Sequence, residues 1–313
     1  MKMATPAWER LLLRTATSEL APSTIPVFLY GTAWKKERTA DLVYQALCSG
    51  FTGVDTAGQP KHYREDLVGE GVRRALAEGK VKRENLFLQT KYTSIGGQDP
   101  AAMPYDPKLP IAAQVHASIK SSLWNLRESE TPGSEDDTYL DALVLHSPLP
   151  TMAETLEAWR ACEEYVPHKI RNLGISNCWL PVLATLFREA KVKPAIVQNR
   201  FYADTEFDAS LREFCRENSI VYQSFWTLTA NPALLSSAEV GLLAQKAGVS
   251  QPAALYCLVL GLGNTVVLNG TTNQGHMVDD LEAPGRVGRF AADHPEEWRD
   301  ILKNFKRQIR ERG

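Results

Sequence analysis

The chain has 313 residues, 44% of them hydrophobic and 23% charged, with a formal net charge of −2 at pH 7. That length can bury a large core, and the balanced charge offers no basic surface for nucleic acid or acidic lipid. The five cysteines (Cys48, Cys162, Cys178, Cys215, Cys257) are scattered without a C-x-x-C pair, which argues against a disulfide framework or a metal site and for reduced thiols in the cytoplasm.

Residues 1–26 carry Pro6, Pro22 and Pro26 and read as an irregular N-terminal arm or plug. Leu11-Leu12-Leu13 is interrupted at Arg14, and no apolar stretch approaches the ~18 residues of a membrane span, so neither a leader nor a membrane partner is expected. A first strand is expected at 27–31 and an amphipathic helix at 37–49, stopped by Gly50. A short second strand ends at Asp55, and a helix follows at 67–77. The third strand, 86–91, ends on Lys91 and opens a long loop with Gly96, Gly97, Pro100, Pro104, Pro107 and Pro110. A loop of that length is more than a connector and is expected to wall the substrate pocket.

A helix at 111–127 leads into an acidic insertion, 128–138, expected on the opposite face as a solvated loop. The fourth strand ends at His146, and strands follow at 170–177, 195–199, 220–224 and 265–268. Helices are expected between them at 152–164, 181–190, 211–217, 237–247 and 252–260, with another at 274–281. A last charged helix is expected at 296–312, within a C-terminal tail (284–313) too short for a long lid. This alternation predicts parallel crossovers, and the apolar strands fit burial on both faces. One domain is expected, an α/β fold of the (β/α)8 TIM-barrel type, with a doubly wound open sheet as the runner-up. The barrel is preferred because reactive residues close successive strands, and a barrel keeps its active site at the C-terminal strand ends.

Gly31-Thr32, Asp55-Thr56-Ala57, Tyr63, Glu65, Gly69, Lys91, His146, Gly174-Ile175-Ser176-Asn177 and Gln198-Asn199 together resemble the aldo-keto reductases, in order and at nearly the family spacing. The resemblance implies a nicotinamide cofactor bound without a Rossmann fold, and reduction of a small-molecule carbonyl by hydride transfer. It implies Asp55, Tyr63, Lys91 and His146 as the catalytic group. The chemistry suits those residue types. Hydride arriving at a carbonyl carbon leaves an alkoxide that needs a proton donor. A phenol, with an ordinary pKa of about 10, becomes a better donor beside an ammonium, and a buried ammonium needs a counter-ion. Lys91 and Asp55 fill those two places, and His146 would orient the carbonyl oxygen. The family places its tyrosine five residues after the acid. Here the gap is eight, with Gly58 to His62 intervening, so the loop is rebuilt; Tyr63 is preferred to His62 as the proton donor because it is the only tyrosine there.

The resemblance further implies cofactor contacts from Gly31, Thr32 and Asp55, and from Ser176, Asn177 and Gln198 on the nicotinamide carboxamide. Phe225 stands where the family usually has a stacking tyrosine, and Trp226, Thr227 and Leu228 begin a loop over the diphosphate. At the adenosine end the implied contacts are Gly270, Thr271, Thr272, His276 and Asp280. Gly270 and His276 replace the lysine and arginine that usually grip a 2′-phosphate, which counts against NADPH; the frequency of NADPH in the family still makes it the expected cofactor, with NADH possible. Ala33, Trp34, Tyr92 and Trp179 are candidate substrate contacts, and an open pocket for bulky or varied carbonyls is expected. A non-catalytic regulatory or binding subunit on the same fold is the alternative. Gly261-Leu262-Gly263 and residues 270–275 superficially suggest phosphate-binding loops, but the first joins a helix to a strand and the second lacks the Lys-Ser/Thr.

Overall fold

The computed structural model describes residues 10–15, 23–131 and 133–310, and the rest of the expected N-terminal arm lies outside them. The described part of the arm is a two-stranded antiparallel ribbon, β1 (Arg10–Leu12) and β2 (Thr24–Pro26). Eight strands then close a parallel barrel: β3 (Phe28–Gly31), β4 (Gly53–Asp55), β5 (Phe87–Tyr92), β6 (Ala142–Leu145), β7 (Leu173–Ser176), β8 (Ile196–Arg200), β9 (Val221–Phe225) and β10 (Thr265–Asn269). The barrel closes where β10 pairs with β3, and the open sheet is excluded.

Two apolar cores follow from the two-residue period of a strand. Inward positions near the strand starts, Leu29, Phe87, Ala142, Ile196, Val221 and Val266, pack with Leu13 and Ile25 of the ribbon, which plugs that end. Outward positions, including Phe28, Tyr30, Val54, Leu88, Leu143, Ile175 and Val267, pack against the helices. The helix Glu65–Ala77 lies so close to the end of the helix Ile111–Asn125 that a Cβ on Gly69 would stand 1.8 Å from the Asn125 carbonyl oxygen. Only glycine fits there.

Most expected helices occur within one or two residues of their sequence-based limits. The chief difference is at the C-terminus, where the helix expected at 274–281 runs as Gln274–Asp293, straight through Pro284. A proline inside a helix costs ~3 kcal/mol, but Met277, Ala283, Pro284, Val287 and Phe290 are all buried on this helix, and that burial outweighs the lost hydrogen bond. The last helix is Pro295–Gln308. Among the described residues no helix is long and apolar enough to cross a membrane, and no cluster of metal-ligating side chains occurs.

Candidate active site

Strand parity carries most of the site. On β5 the residues Phe87, Gln89 and Lys91 share the inward parity, while Leu88 and Tyr92 join the outer core. The same alternation turns Gly31, Asp55, Ser176, Gln198, Phe225 and Leu268 inward at the C-terminal ends of their strands. With His146, just past β6, they line a cavity of about 980 Å³. A barrel packed with apolar layers below thus opens into a polar-floored chamber above.

On the floor, the Lys91 ammonium donates to Asp55 Oδ2 at 2.6 Å and to the Thr56 carbonyl at 2.8 Å. Burial works against this charge, but Asp55 and Tyr63 outweigh it and hold the Lys91 pKa above the usual lysine value. Asp55 Oδ1 accepts from Gln89 Nε2 at 2.6 Å and from Gln198 Nε2 at 3.0 Å. Gln223 ties both amides together, accepting from Gln89 and from Gln198 at 2.8 Å each and donating to Gln89 at 2.7 Å. The carboxylate is therefore fixed from below by a closed amide network and from above by the ammonium.

Tyr63 reaches this group. Lys91 Nζ lies 5.1 Å from the centre of its ring, and the His146 ring lies edge-on to it at 5.9 Å. Burial holds the phenol pKa above its ordinary value; Lys91 offsets part of that rise, and Asp55 adds a smaller upward push. The lengthened loop is absorbed in one tight turn: the backbone N–H groups of His62 and Tyr63 both donate to the Gln59 carbonyl, at 3.2 and 3.0 Å. Gln59 and Gln98 pin that turn through the Gly97 and Gly58 carbonyls. His62 also lines the cavity, stacked on Trp34 with ring centres 3.8 Å apart.

His146 is held neutral, its pKa lowered to about 3 by burial and then by the nearby Lys91 and His62. Its Nδ1 meets the Thr93 hydroxyl at 2.6 Å. That hydroxyl is buried and has no other partner among the described residues, so its proton has Nδ1 as its acceptor. The imidazole proton then sits on Nε2, where it is free to donate. The Thr93 carbonyl accepts from Tyr105 O–H at 2.6 Å and Gln98 Nε2 at 3.1 Å, so the loop after β5 braces this residue.

Farther along the wall, Ser176 donates to the Gln198 carbonyl at 2.6 Å and Asn177 Nδ2 to the His146 carbonyl at 2.9 Å. With its Nε2 committed to Asp55 and Gln223, Gln198 presents only Oε1 for further bonding. Phe225, Trp226, Thr227 and Leu228 line the next stretch, and Gly270, Thr271, His276, Asp279 and Asp280 the far end. Asp280 accepts from Asn269 Nδ2 at 2.8 Å, yet burial still raises its pKa to about 6.

Of the expected site residues, Ala33 and Trp34 are on the cavity wall and five others are not: Lys91 lies just beneath the floor, reaching it through Asp55 and Tyr63, and the remaining four lie elsewhere. Tyr92 has the outward parity and is buried against Tyr105 and Gln114; Trp179 is exposed before the helix Leu180–Glu189; Thr32 lies beneath the wall, donating to the Asp55 carbonyl; Thr272 is exposed. The loop expected to wall the pocket instead packs behind it, because Gln98 and Tyr105 are turned inward to hold the chain at Thr93. Sequence reasoning missed Thr93, Gln89 and Gln223, and also Arg200 and Lys35, which line the cavity, Lys35 donating to the Gly270 carbonyl. Three of these were legible: Gln89, Gln223 and Arg200 are polar, on apolar strands, two residues from Lys91, Phe225 and Gln198 and of the same parity.

The profile of the Aldo/keto reductase family matches residues 28–247, and the chain belongs to that family. An NAD(P)H-dependent D-xylose reductase of Candida tropicalis is 25% identical over 297 residues, spanning 82% of this chain and 83% of the relative. An uncharacterized oxidoreductase of Schizosaccharomyces pombe is 25% identical over 264 residues, with the same coverage of 82% and 83%. Among solved structures, an aldo-keto reductase of the silkworm Bombyx mori superposes with a TM-score of 0.70 at 20% identity, covering 91% of this chain and 88% of that one. A crystal of the silkworm protein complexed with NADPH superposes at 0.68 with 19% identity and the same 91% and 88% coverage, likenesses that carry the fold alone.

Proposed function

We propose that this protein is an NAD(P)H-dependent reductase of aldehydes or ketones, with Tyr63 as proton donor. The observation that carries this reading is the Lys91 ammonium held between Asp55 and the Tyr63 phenol on the floor of the cavity. A purely packing role would not collect an acid, an ammonium, a phenol and a neutral imidazole at one end of the barrel, and their joint retention weighs against a non-catalytic subunit.

The residues fit a dinucleotide. Among the described residues nothing donates to Gln198 Oε1, and Ser176 and Asn177 beside it suit a carboxamide. Phe225 offers a ring face for the nicotinamide. A cavity of about 980 Å³ is at the top of the range for ligand sites, which leaves space for a substrate beside a cofactor. Bound there, the nicotinamide would supply the hydride. His146 would donate from Nε2 to the carbonyl oxygen and so fix its position. Tyr63 would release its proton to the oxygen as negative charge develops on it. Lys91 lowers the cost of the resulting phenolate, and Asp55 with its amides keeps Lys91 charged.

One relative is named for NAD(P)H and the silkworm structure holds NADPH, which supports NADPH with NADH possible. The chain's own far end tempers that preference, because Asp279 and Asp280 bring carboxylates near where a 2′-phosphate would bind. Trp34, Trp226 and Ala33 make the substrate side broad and largely apolar, which suits bulky or varied carbonyls. The test is oxidation of NADPH and NADH by the purified protein across a panel of aldehydes and ketones. Turnover with several bulky carbonyls is expected; absence of turnover across the panel refutes the reading.

A further inference from the structure

Arg200 ends β8 two residues beyond Gln198, on the inward side. It lines the main cavity and also a smaller one of about 280 Å³ that it shares with Tyr202, Trp226, Thr229 and Ala230. Its guanidinium carbon lies 4.0 Å from the centre of the Trp226 ring and 5.0 Å from that of Tyr202. Two aromatic faces thus hold the plane of the group and leave its edge, where the N–H donors are, unused. Among the described residues no oxygen accepts from any of its nitrogens, and Nε is buried without a partner. The more deeply buried arginines differ: Arg83 pairs with Asp141 at 2.8 Å, and Arg212 donates to the Phe207 carbonyl at 2.9 Å.

A second observation lies next to it. The loop after β9 turns at Trp226, which has a φ of 56°, and among the described residues the backbone N–H groups of Thr227, Leu228 and Thr229 donate to nothing. All three residues line the main cavity. A cation with idle donors beside consecutive idle N–H groups is a site for an anion. The wall's own carboxylates do not fill it: Asp55 is committed to Lys91, and Asp279 and Asp280 belong to the helix after β10.

We propose that Arg200 is the charged contact of an anion subsite at the mouth of the barrel. It would receive either a phosphate of the dinucleotide or an acidic group on the substrate. The proposal rests on the reductase reading only for the naming of these two sources. Arg's planar fork suits both, since phosphate and carboxylate each present two oxygens to it.

The test compares the native protein with Arg200→Met, which keeps an unbranched apolar stem and removes the charged fork, and Arg200→Lys, with circular dichroism to confirm folding. Affinity is measured by calorimetry for inorganic pyrophosphate, NADPH and NADH, and kinetics with benzaldehyde and 4-carboxybenzaldehyde. Arg200→Met is expected to weaken pyrophosphate binding about tenfold or more, the loss of ~1.4 kcal/mol, with Arg200→Lys recovering part of it. An equal loss for NADPH identifies the cofactor phosphate as the source. A KM that rises more for 4-carboxybenzaldehyde than for benzaldehyde identifies the substrate. If the native protein binds NADPH and turns over while Arg200→Met matches it in every measurement, the subsite is refuted and the reductase reading stands. If the native protein binds neither NADPH nor NADH but binds pyrophosphate in an Arg200-dependent way, the subsite stands and the reductase reading falls. If it binds neither nicotinamide nucleotide and no pyrophosphate, both fall.

Discussion

Asp55→Asn removes the counter-ion from an ammonium that is fully buried, at 0% exposure. The native carboxylate takes Lys91 on one oxygen and the Gln89 and Gln198 amides on the other, at 2.6, 2.6 and 3.0 Å. Asparagine has a single acceptor oxygen for those donors, and its amide group adds donors of its own among them. Lys91 keeps only the Thr56 carbonyl at 2.8 Å, a dipole in place of a charge. Breaking one side of a buried ion pair costs ~3–5 kcal/mol. With an unfolding slope of ~3 kcal/mol/M, the urea midpoint should fall by about 1 M or more. The sign of the pH dependence follows from Lys91, whose folded pKa is raised. The pair's stabilisation is fully present below the unfolded lysine value of about 10.4 and is lost as pH rises through the folded pKa. The deficit of Asp55→Asn should therefore be full near neutral pH and shrink in strong alkali. Tryptophan fluorescence in urea at a series of pH values measures it. A midpoint shift under ~0.3 M at neutral pH, or a shift that does not shrink in alkali, refutes the account of the pair.

Thr93→Val keeps the shape but removes the hydroxyl that donates to His146 Nδ1, so nitrogen NMR should show loss of the single Nε2–H tautomer and kcat/KM should fall by about tenfold. Thr93→Ser should restore both, and an unchanged tautomer in Thr93→Val would show that something else sets it. Asp280 has a folded pKa of about 6 against an ordinary 3.8, so its contribution to stability is full at low pH and is lost as pH rises through about 6. Asp280→Asn should then stabilise the protein by about 1–2 kcal/mol at pH ~7.5 and by little at pH ~4, read from thermal melts, and should tighten NADPH. Equal stabilisation at both pH values would contradict burial as the cause.

Much of this was legible because barrel strands impose parity. Asp55, Lys91, His146, Ser176 and Gln198 are strand-end residues, and their chain order together with the barrel places four of them around one cavity, with Lys91 beneath it on Asp55. Tyr92 was misplaced because it follows Lys91 and its parity was not applied; the strand continues through it, which turns its side chain outward. The continuation of the last long helix through Pro284 was hidden for a different reason. Local propensity argues for a break, and only the tertiary burial of Met277, Val287 and Phe290 reverses it. The role of Thr93 depends on its distance to a histidine 53 positions away, which no local pattern reports. The rebuilt loop before Tyr63 was readable as a length difference, but not as the turn on the Gln59 carbonyl that delivers the phenol to Lys91.

In the proposed mechanism the phenol of Tyr63, whose phenolate Lys91 stabilises against the effect of burial, quenches the oxyanion. Single-turnover stopped-flow oxidation of bound NADPH by an aldehyde, comparing native protein with Tyr63→Phe, tests it most directly. Tyr63→Phe should keep NADPH affinity within ~3-fold of native and lower the hydride-transfer rate by ~10²–10⁴. A Tyr63→Phe protein that transfers hydride about as fast as native contradicts that mechanism.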